Sequence, residues 1–278
     1  MTDDALVLIE RPADKVARIV LNRPAKRNAQ NTRLLLALDA AFREAALDDA
    51  ISVIILAGAG PDFSAGHDLA ETEQEAAFAT HPSNLWSKGA GSVAERIMAY
   101  EREIYLGLSE RWRNLPKPTI ASVQGKCIAG GLMLAWPCDL IVASEDAVFI
   151  DNTLAMGMPG CEFFVHPQEL GPRKAKEMLF TGAAITAAEA LGLGMVNRVV
   201  TRERLAQETL ELAVQIAARP LFALRLAKQA VNAADDAAGR VGAIETAFGL
   251  HQLGHAHNLA VHGLPVDPRG IDPRVRRG

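Results

Sequence analysis

The sequence has little of what several classes of protein require. Its 278 residues include three cysteines, and only 5% of them are aromatic. Three thiols cannot cross-link a chain of this length, which excludes a disulfide-stabilised scaffold. No apolar run approaches the roughly 18 residues that a membrane-spanning helix needs. We therefore expect no membrane partner and three reduced thiols, Cys127, Cys138 and Cys161.

Basic charge is also scarce. The formal net charge is -4, so the chain has no polybasic surface of the kind that binds nucleic acid. The acidic residues 1–4 are followed by no apolar segment, so we expect no signal peptide. Hydrophobic residues make up 49% of the chain, which excludes a disordered protein. The composition predicts a soluble, cytoplasmic globular protein.

Strand and helix patterns alternate over the first 200 residues. Two short strand-like runs, 6–9 and 16–21, flank a turn and predict a hairpin. Asn31 is placed to cap a helix with one apolar face, and a buried strand follows at 52–56. A second helical period ends before Pro116. The sequence therefore predicts an α/β fold, with further strands at 119–123, 140–143 and 148–150.

The rest of the chain divides into helical and irregular parts. Residues 71–92 show no sustained period and predict a loop or short helices of the kind that often form a lid. Three helices are predicted at 202–219, 220–234 and 242–259, and the basic tail 266–278 is predicted to be disordered. Helices that cannot bury their own apolar faces indicate an oligomer.

Two short segments could present backbone amides to a ligand. One is 63–69, directly after a strand, and the other is 129–131, at the start of a helix. Small residues let the backbone approach a ligand, and a helix start leaves N–H groups free. Two such groups on one carbonyl form an oxyanion hole. From spacing alone, simple tight turns are the more common alternative.

The order and spacing of several motifs resemble those of the crotonase (enoyl-CoA hydratase/isomerase) superfamily. The similarity covers roughly residues 5 to 235. The motifs are LNRPAKRNA at 21–29, FSAGHDL at 63–69, KPTIASVQG at 117–125, AGG at 129–131, CDL at 138–140, KAKE at 174–177, FTG at 180–182 and the run 187–197. The resemblance implies a spiral of ββα repeats over 1–200 that holds an acyl-CoA site, and a helical trimerisation region over 201–265.

The same resemblance implies the substrate and the binding residues. It implies an acyl-CoA thioester, with coenzyme A as part of the substrate and no tightly bound cofactor, and a homotrimer or a dimer of trimers. It places the oxyanion amides on His67 and Gly130. It places the coenzyme A arm along Lys26 and the segment that contains Ala65, His67, Asp68 and Leu69.

The departures from the family pattern concern the catalytic groups. Hydratases of this family use two glutamates, and the corresponding positions here are Met133 and Thr153, which cannot transfer protons as a carboxylate does. Pro137 should shorten or kink the helix after Gly130. The leading hypothesis is nominally an enoyl-CoA hydratase. The alternatives are a decarboxylase, an isomerase or a C–C bond hydrolase of the same superfamily, or a non-catalytic acyl-CoA-binding protein.

Several side chains are candidates for the missing acid or base. Glu162 could replace a lost glutamate or could be a solvated loop residue, and the sequence favours neither. His67 could act as a base, but a side chain turned away from the site is favoured. Asp68 is expected to brace its loop. Asp151 and Asn152 are expected to face water, and His166 is expected at the surface.

The histidines near the C-terminus and the cysteines carry weaker signals. His251 and His255 are four residues apart and share a helix face. Together with His257 and His262, they resemble a metal cluster only in composition. Zinc usually needs further ligands at defined spacing, so we expect a polar helix face and no metal site. Cys161 lies beside Glu162, but a buried thiol is favoured over a reactive one.

Overall fold

The computed structural model describes residues 5–71, 85–86 and 91–271 of the chain. Nine strands in these residues form two sheets. They are β1 (Val7–Ala13), β2 (Val16–Leu21), β3 (Val53–Gly58), β4 (Thr119–Val123), β5 (Lys126–Ile128), β6 (Leu140–Ser144), β7 (Val148–Ile150), β8 (Ile185–Thr186) and β9 (Arg198–Val200). The larger sheet has the order β1-β2-β3-β4-β6-β9, and the smaller has the order β5-β7-β8.

The larger sheet begins with the predicted hairpin. Strands β1 and β2 pair antiparallel with Val7 opposite Leu21, which confirms that prediction. The other pairs of this sheet are parallel. Strand β4 is buried along its whole length, as parallel strands covered on both faces are. The loops that follow β3 and β4 lead into the two amide-bearing segments, which places those segments at one edge of the sheet.

Ten α-helices are found in the described residues. They are α1 (Thr32–Leu47), α2 (Val93–Tyr100), α3 (Gly107–Arg113), α4 (Leu132–Ala135), α5 (His166–Leu170), α6 (Pro172–Thr181), α7 (Ala187–Leu193), α8 (Leu205–Ala217), α9 (Leu221–Ala237) and α10 (Arg240–His262). Helix α1 begins as predicted, because the Asn31 side chain accepts a hydrogen bond from the Leu34 amide. Its Leu34, Leu38 and Phe42 are buried in the main core.

A π-helical segment joins α2 to α3. The predicted helical period between Ile97 and Trp112 is confirmed, but residues Glu101–Leu106 adopt the wider π-helical turn. Such turns are rare and often occur at functional sites. Helix α4 has only four residues and ends before Pro137, as that proline predicts.

The C-terminal helices differ in what they cover. Helix α8 buries Leu205, Leu212 and Ala213 in the same core cluster as β3 and β4 residues. Helix α9 has no buried residue, and α10 buries Phe248, among others. Each end of these three helices lies within three residues of its predicted position. No helix in the described residues is long and apolar enough to cross a membrane.

Two predicted irregular segments are only partly described. Most of the predicted lid, 71–92, lies outside the described residues. The prediction of disorder over 266–278 is wrong for 266–271, where Pro268–Gly270 form a 3-10 helix. The Asp267 amide donates to the carbonyl of Met156 at 2.8 Å, which fixes this segment against the chain near the cavity described below. Residues 272–278 lie outside the described part.

Candidate active site

A cavity of about 360 Å³ lies between the amide-bearing loops, the π-helical segment and α10. Backbone, aromatic and titratable groups share its wall. The residues that line it include His67, Leu69, Tyr100, Glu101, Tyr105, Gly130, Thr153, Cys161, Glu162, His251 and His255. Their mixture of apolar surface and a few convergent polar groups is typical of a small-molecule site.

The loop 63–69 is fixed against strand β5. The Ser64 amide donates to the Lys126 carbonyl at 3.0 Å, and the Ile128 amide donates to the Ser64 carbonyl at 3.0 Å. Gly66 has a φ of +88°, and a Cβ there would lie 2.7 Å from the Ile128 oxygen and 3.3 Å from the Gly130 nitrogen. Only glycine fits this position. Gly66 therefore lets the loop 63–69 lie directly against Gly130.

Gly130 lies in the 3-10 helix Ala129–Gly131, which leads directly into α4. Amides in the first turn of a helix have no acceptor within the helix. A Cβ on Gly130 would lie 2.7 Å from Cε1 of His67 and 3.0 Å from Oε1 of Gln30. The structure therefore brings together His67 and Gly130, the two residues whose amides the resemblance assigns to one site.

The side chain of His67 faces the cavity. Its ring stacks on Tyr105, with centroids 3.8 Å apart and planes 12° apart. Its Nε2 lies 3.4 Å from Oε2 of Glu162. Its Nδ1 is buried and has no hydrogen-bond partner among the described residues. The interpretation of a side chain turned away from the site is therefore wrong.

Glu162 is 4% exposed, which decides between its two predicted states: it is not a solvated loop residue. Its second oxygen, Oε1, lies 3.6 Å from Nε2 of His251. Burial by itself raises the pKa of this carboxyl, but the charges of His67 and His251 outweigh burial and hold the pKa well below its usual range. The carboxylate is therefore ionised at neutral pH.

A second buried cluster supports the loop that carries Glu162. Asp151 accepts hydrogen bonds from the Thr153 hydroxyl at 2.6 Å, the Cys161 amide at 2.8 Å and His166 Nε2 at 2.8 Å. Burial by itself raises the pKa of Asp151. The hydrogen bond and the charge of His166 lower it by more, so the pKa lies below its ordinary value. The prediction that Asp151 faces water is wrong, and so is the surface position of His166, since both are fully buried. Asn152 is exposed, as expected.

Thr153 and Met133, the two positions that the resemblance pairs with glutamates, differ in their surroundings. Thr153 lines the cavity, and its hydroxyl is used by Asp151. Met133 is buried in the main core. Cys161 is buried as predicted, and burial raises the pKa of its thiol well above the ordinary value, so it is protonated.

The residues assigned to the coenzyme A arm lie beside the loop 63–69. Asp68 pairs with Arg23 at 3.0 Å and so braces the loop, as expected. Leu69 is half exposed and lines the cavity. Lys26 is exposed, and it lies next to Arg27, whose carbonyl accepts a hydrogen bond from the Ala65 amide at 2.9 Å.

His251 and His255 do not form a solvated face. They are 3% and 6% exposed, and both line the cavity with Glu101. His255 Nε2 lies 2.8 Å from Oε1 of Glu101. The expectation of a polar helix face is wrong for these two histidines, while His257 on the same helix is exposed.

Sequence reasoning missed Glu101 and Tyr105, which line the cavity from the π-helical segment. A signal for Glu101 was present. It lies four residues after Ile97 and three before Ile104, so it interrupts an apolar helical stripe. A carboxylate at such a position must find partners when the helix packs.

Comparison with solved structures defines the class of fold. A probable enoyl-CoA hydratase from Mycobacterium smegmatis matches with a TM-score of 0.85 and 50% identity, covering 94% of this chain and 99% of that one. A monofunctional enoyl-CoA isomerase from M. smegmatis matches with a TM-score of 0.63 and 27% identity, covering 84% of this chain and 94% of that one. The molecule has the crotonase fold, with a C-terminal helical region.

The sequence comparisons define the family. The model of the enoyl-CoA hydratase/isomerase family matches residues 11–252. The chain is 47% identical over 248 residues to a Mycobacterium tuberculosis protein named "Putative enoyl-CoA hydratase EchA13", covering 87% of this chain and 78% of that protein. The chain therefore belongs to the enoyl-CoA hydratase/isomerase family of the crotonase superfamily, and it is an enzyme of that family.

Proposed function

We propose that this enzyme adds water to a 2-enoyl-CoA thioester, with Glu162 as the proton-transferring carboxylate. The observation that carries the proposal is the position of Glu162: it is buried in the wall of the cavity that also contains His67 and Gly130. In this proposal the amides of His67 and Gly130 donate to the thioester oxygen as negative charge develops on it. Losing one such donor typically costs a factor of about 100 to 1,000 in rate.

The proton balance of this reaction needs one carboxylate. Glu162 accepts a proton from water, the oxygen of that water bonds to C3, and the electron pair of the double bond moves onto the thioester oxygen. The enolate then collapses, and C2 takes the proton from Glu162, which returns to its ionised form. The nearby His67 side chain, stacked on Tyr105, positions the carboxylate. General acid–base catalysis of this kind contributes about 100- to 10,000-fold.

A second candidate is movement of the double bond along the acyl chain. One carboxylate beside an oxyanion hole can remove a proton from one carbon of an enolate system and return it to another. Glu162 lines the cavity, whereas the two positions that hold glutamates in the family pattern have no carboxylate here. A reaction that needs one carboxylate suits this arrangement. The isomerase from M. smegmatis has a similar fold. Decarboxylation, C–C bond cleavage and binding without catalysis are the remaining alternatives.

We propose further that the coenzyme A arm lies along Lys26, Ala65, Asp68 and Leu69, and that coenzyme A enters only as part of the substrate. Lys26 is exposed and can reach a phosphate, while Leu69 lines the cavity. The proposed assembly is a homotrimer or a dimer of trimers, in the cytoplasm. The apolar residues exposed on α9 support an assembly of this kind.

Mass spectrometry of the reaction products tests the proposed reaction. The enzyme is incubated in heavy-oxygen water with crotonyl-CoA, longer 2-enoyl-CoAs and methylmalonyl-CoA. The expected product of an enoyl-CoA carries one labelled water, and Glu162→Gln is expected to lower kcat by about 100-fold or more. Glu177→Gln, at an exposed site on α6, is the matched control and should leave kcat unchanged.

Each other outcome of that experiment selects a different reaction. A double bond that moves without uptake of label would favour isomerisation, and loss of carbon dioxide from methylmalonyl-CoA would favour decarboxylation. Labelled product formed at the same rate by Glu162→Gln would contradict the assignment of Glu162.

A further inference from the structure

Three buried side chains converge in the wall of the cavity from two separate elements. Glu101 comes from the π-helical segment, and His251 and His255 lie one turn apart on α10. One ligand-type atom from each, a carboxylate oxygen or an imidazole nitrogen, lies within 4.8 Å of the others. These three residues form the Glu101 cluster.

The hydrogen bonds of the two imidazoles fix which nitrogen faces the carboxylate. His251 Nδ1 donates to the Gly160 carbonyl at 2.9 Å, and His255 Nδ1 donates to the Pro265 carbonyl at 2.6 Å. A carbonyl only accepts, so each Nδ1 carries a proton and each Nε2 faces Glu101. A metal ion would bind at Nε2 in place of any proton there. Histidines that bind metals have this arrangement, with the second nitrogen held by a carbonyl or a carboxylate.

The spacing of the facing atoms suits a cation with short bonds. His255 Nε2 lies 2.8 Å from Glu101 Oε1, and His251 Nε2 lies 3.7 Å from Glu101 Oε2. Ligand atoms in a tetrahedral Zn²⁺ site with bonds of about 2.0 to 2.1 Å lie about 3.3 Å apart. The 2.8 Å contact of His255 is a hydrogen bond, which a bound ion would replace. The 3.7 Å separation exceeds a hydrogen bond. A proton on His251 therefore does not bridge it, whereas a bound ion can.

The carboxylate is also held in place from outside the cluster. Gln252 Nε2 donates to Glu101 Oε2 at 2.6 Å. Glu162 lies near the same nitrogen of His251, with Oε1 3.6 Å from Nε2. A divalent ion on the Glu101 cluster would add positive charge beside both carboxylates.

We propose that Glu101, His251 and His255 bind a divalent transition-metal ion, with Zn²⁺ as the best match to two imidazoles and one carboxylate. The fourth position is open to the cavity, where water would bind. This site goes beyond the proposed hydration reaction and does not depend on it, because the ion can be measured without substrate.

Metal content and affinity test the site directly. Tag-free protein is stripped with a chelator, titrated with Zn²⁺ by calorimetry and reloaded with Co²⁺ for visible absorption. One ion per chain is expected, with the absorption of four-coordinate Co²⁺. His255→Gln and Glu101→Gln are expected to weaken Zn²⁺ binding at least about tenfold. His257→Ala, an exposed histidine on the same helix, should bind as the unmodified protein does.

The outcomes separate a metal site from an ion-paired cluster. Absence of Zn²⁺ binding in the stripped, folded protein would overturn the proposal, and so would binding that His255→Gln leaves unchanged. If a variant fails to fold, as judged by circular dichroism, the Co²⁺ spectrum of the unmodified protein still decides, because six-coordinate Co²⁺ would contradict the Glu101 cluster as its ligands. Failure of hydration with Zn²⁺ still bound would count only against the proposed function.

Discussion

Asp151 shows how a residue outside the reaction can determine the geometry of the site. Its carboxylate accepts hydrogen bonds from the backbone and side chains of the loop that carries Glu162. Hydrogen bonds to a buried charge contribute about 1.5 to 3 kcal/mol each. The position of Glu162 thus depends on Asp151, although the two carboxylates share no hydrogen bond in the described part of the chain.

Asp151→Asn is expected to destabilise the protein by about 2 to 4 kcal/mol at pH 7, because an amide cannot accept all of these bonds. The folded-state pKa of Asp151 is depressed, so its stabilisation is present above the unfolded value of about 4 and is lost as the pH falls through the folded pKa. The difference in free energy of unfolding between the two proteins should therefore shrink below about pH 4. Urea denaturation between pH 7 and pH 3 measures it, and a difference that does not change with pH would contradict this account.

Gly66 belongs to the scale of the element, since it shapes the loop 63–69. Its φ of +88° and the 2.7 Å approach that a Cβ would make to the Ile128 oxygen are separate constraints. The first is a backbone cost of about 1 kcal/mol for alanine. The close contact of a Cβ with the Ile128 oxygen would displace the loop from strand β5, together with the His67 amide.

Gly66→Ala is expected to lower both stability and kcat/KM, the latter by about tenfold or more, because a misplaced oxyanion donor loses its effect. Gly194→Ala is the matched control. Gly194 has a φ of +82° but no atom within 4 Å of the added Cβ. Gly194→Ala should lower the free energy of unfolding by about 1 kcal/mol and leave activity unchanged. Equal losses of activity in both variants would show that backbone strain alone, and not the contact with Ile128, is responsible.

Elements set by local sequence were predicted, and those set by packing were not. The hairpin and the Asn31 cap follow from residues close in sequence, and both are found. The π-helical segment was missed because the spacing of Ile97, Ile104 and Leu108 is also that of an ordinary helix. The burial of His251 and His255 depends on that segment and on the chain at 265, so no pattern within α10 could reveal it.

The candidate site was predictable in its backbone and not in its side chains. The two amide-bearing segments follow from small residues at a loop and a helix start, and the resemblance assigns the amides to His67 and Gly130. The structure brings these two residues together. The pairing of Glu162 with His67 joins residues 95 positions apart, which only the folded chain specifies. The sequence therefore left the state of Glu162 open.

At the scale of the whole molecule, helix α9 leaves large apolar side chains in solvent. Phe222 is 70% exposed and Val231 is 69% exposed, and no residue of α9 is buried within one chain. Contiguous exposed apolar surface of this kind is typical of subunit interfaces. The proposed trimer would cover it.

Light scattering after size exclusion is expected to give three or six chain masses. Phe222→Glu should shift the protein toward smaller species, because a buried unpaired charge opposes association. Leu47→Glu, at a similarly exposed residue of α1, should leave the mass unchanged. A monomeric unmodified protein would contradict the proposed assembly.

The central claim is that the cavity stabilises an enolate and that Glu162 moves its proton. Deuterium exchange at C2 of a saturated thioester, butyryl-CoA, in heavy water tests this directly, because enolate formation alone produces it. We predict exchange with the unmodified enzyme and with Glu177→Gln, and a loss of about 100-fold or more with Glu162→Gln. Absence of exchange in the unmodified enzyme, or exchange that Glu162→Gln leaves intact, would contradict the account.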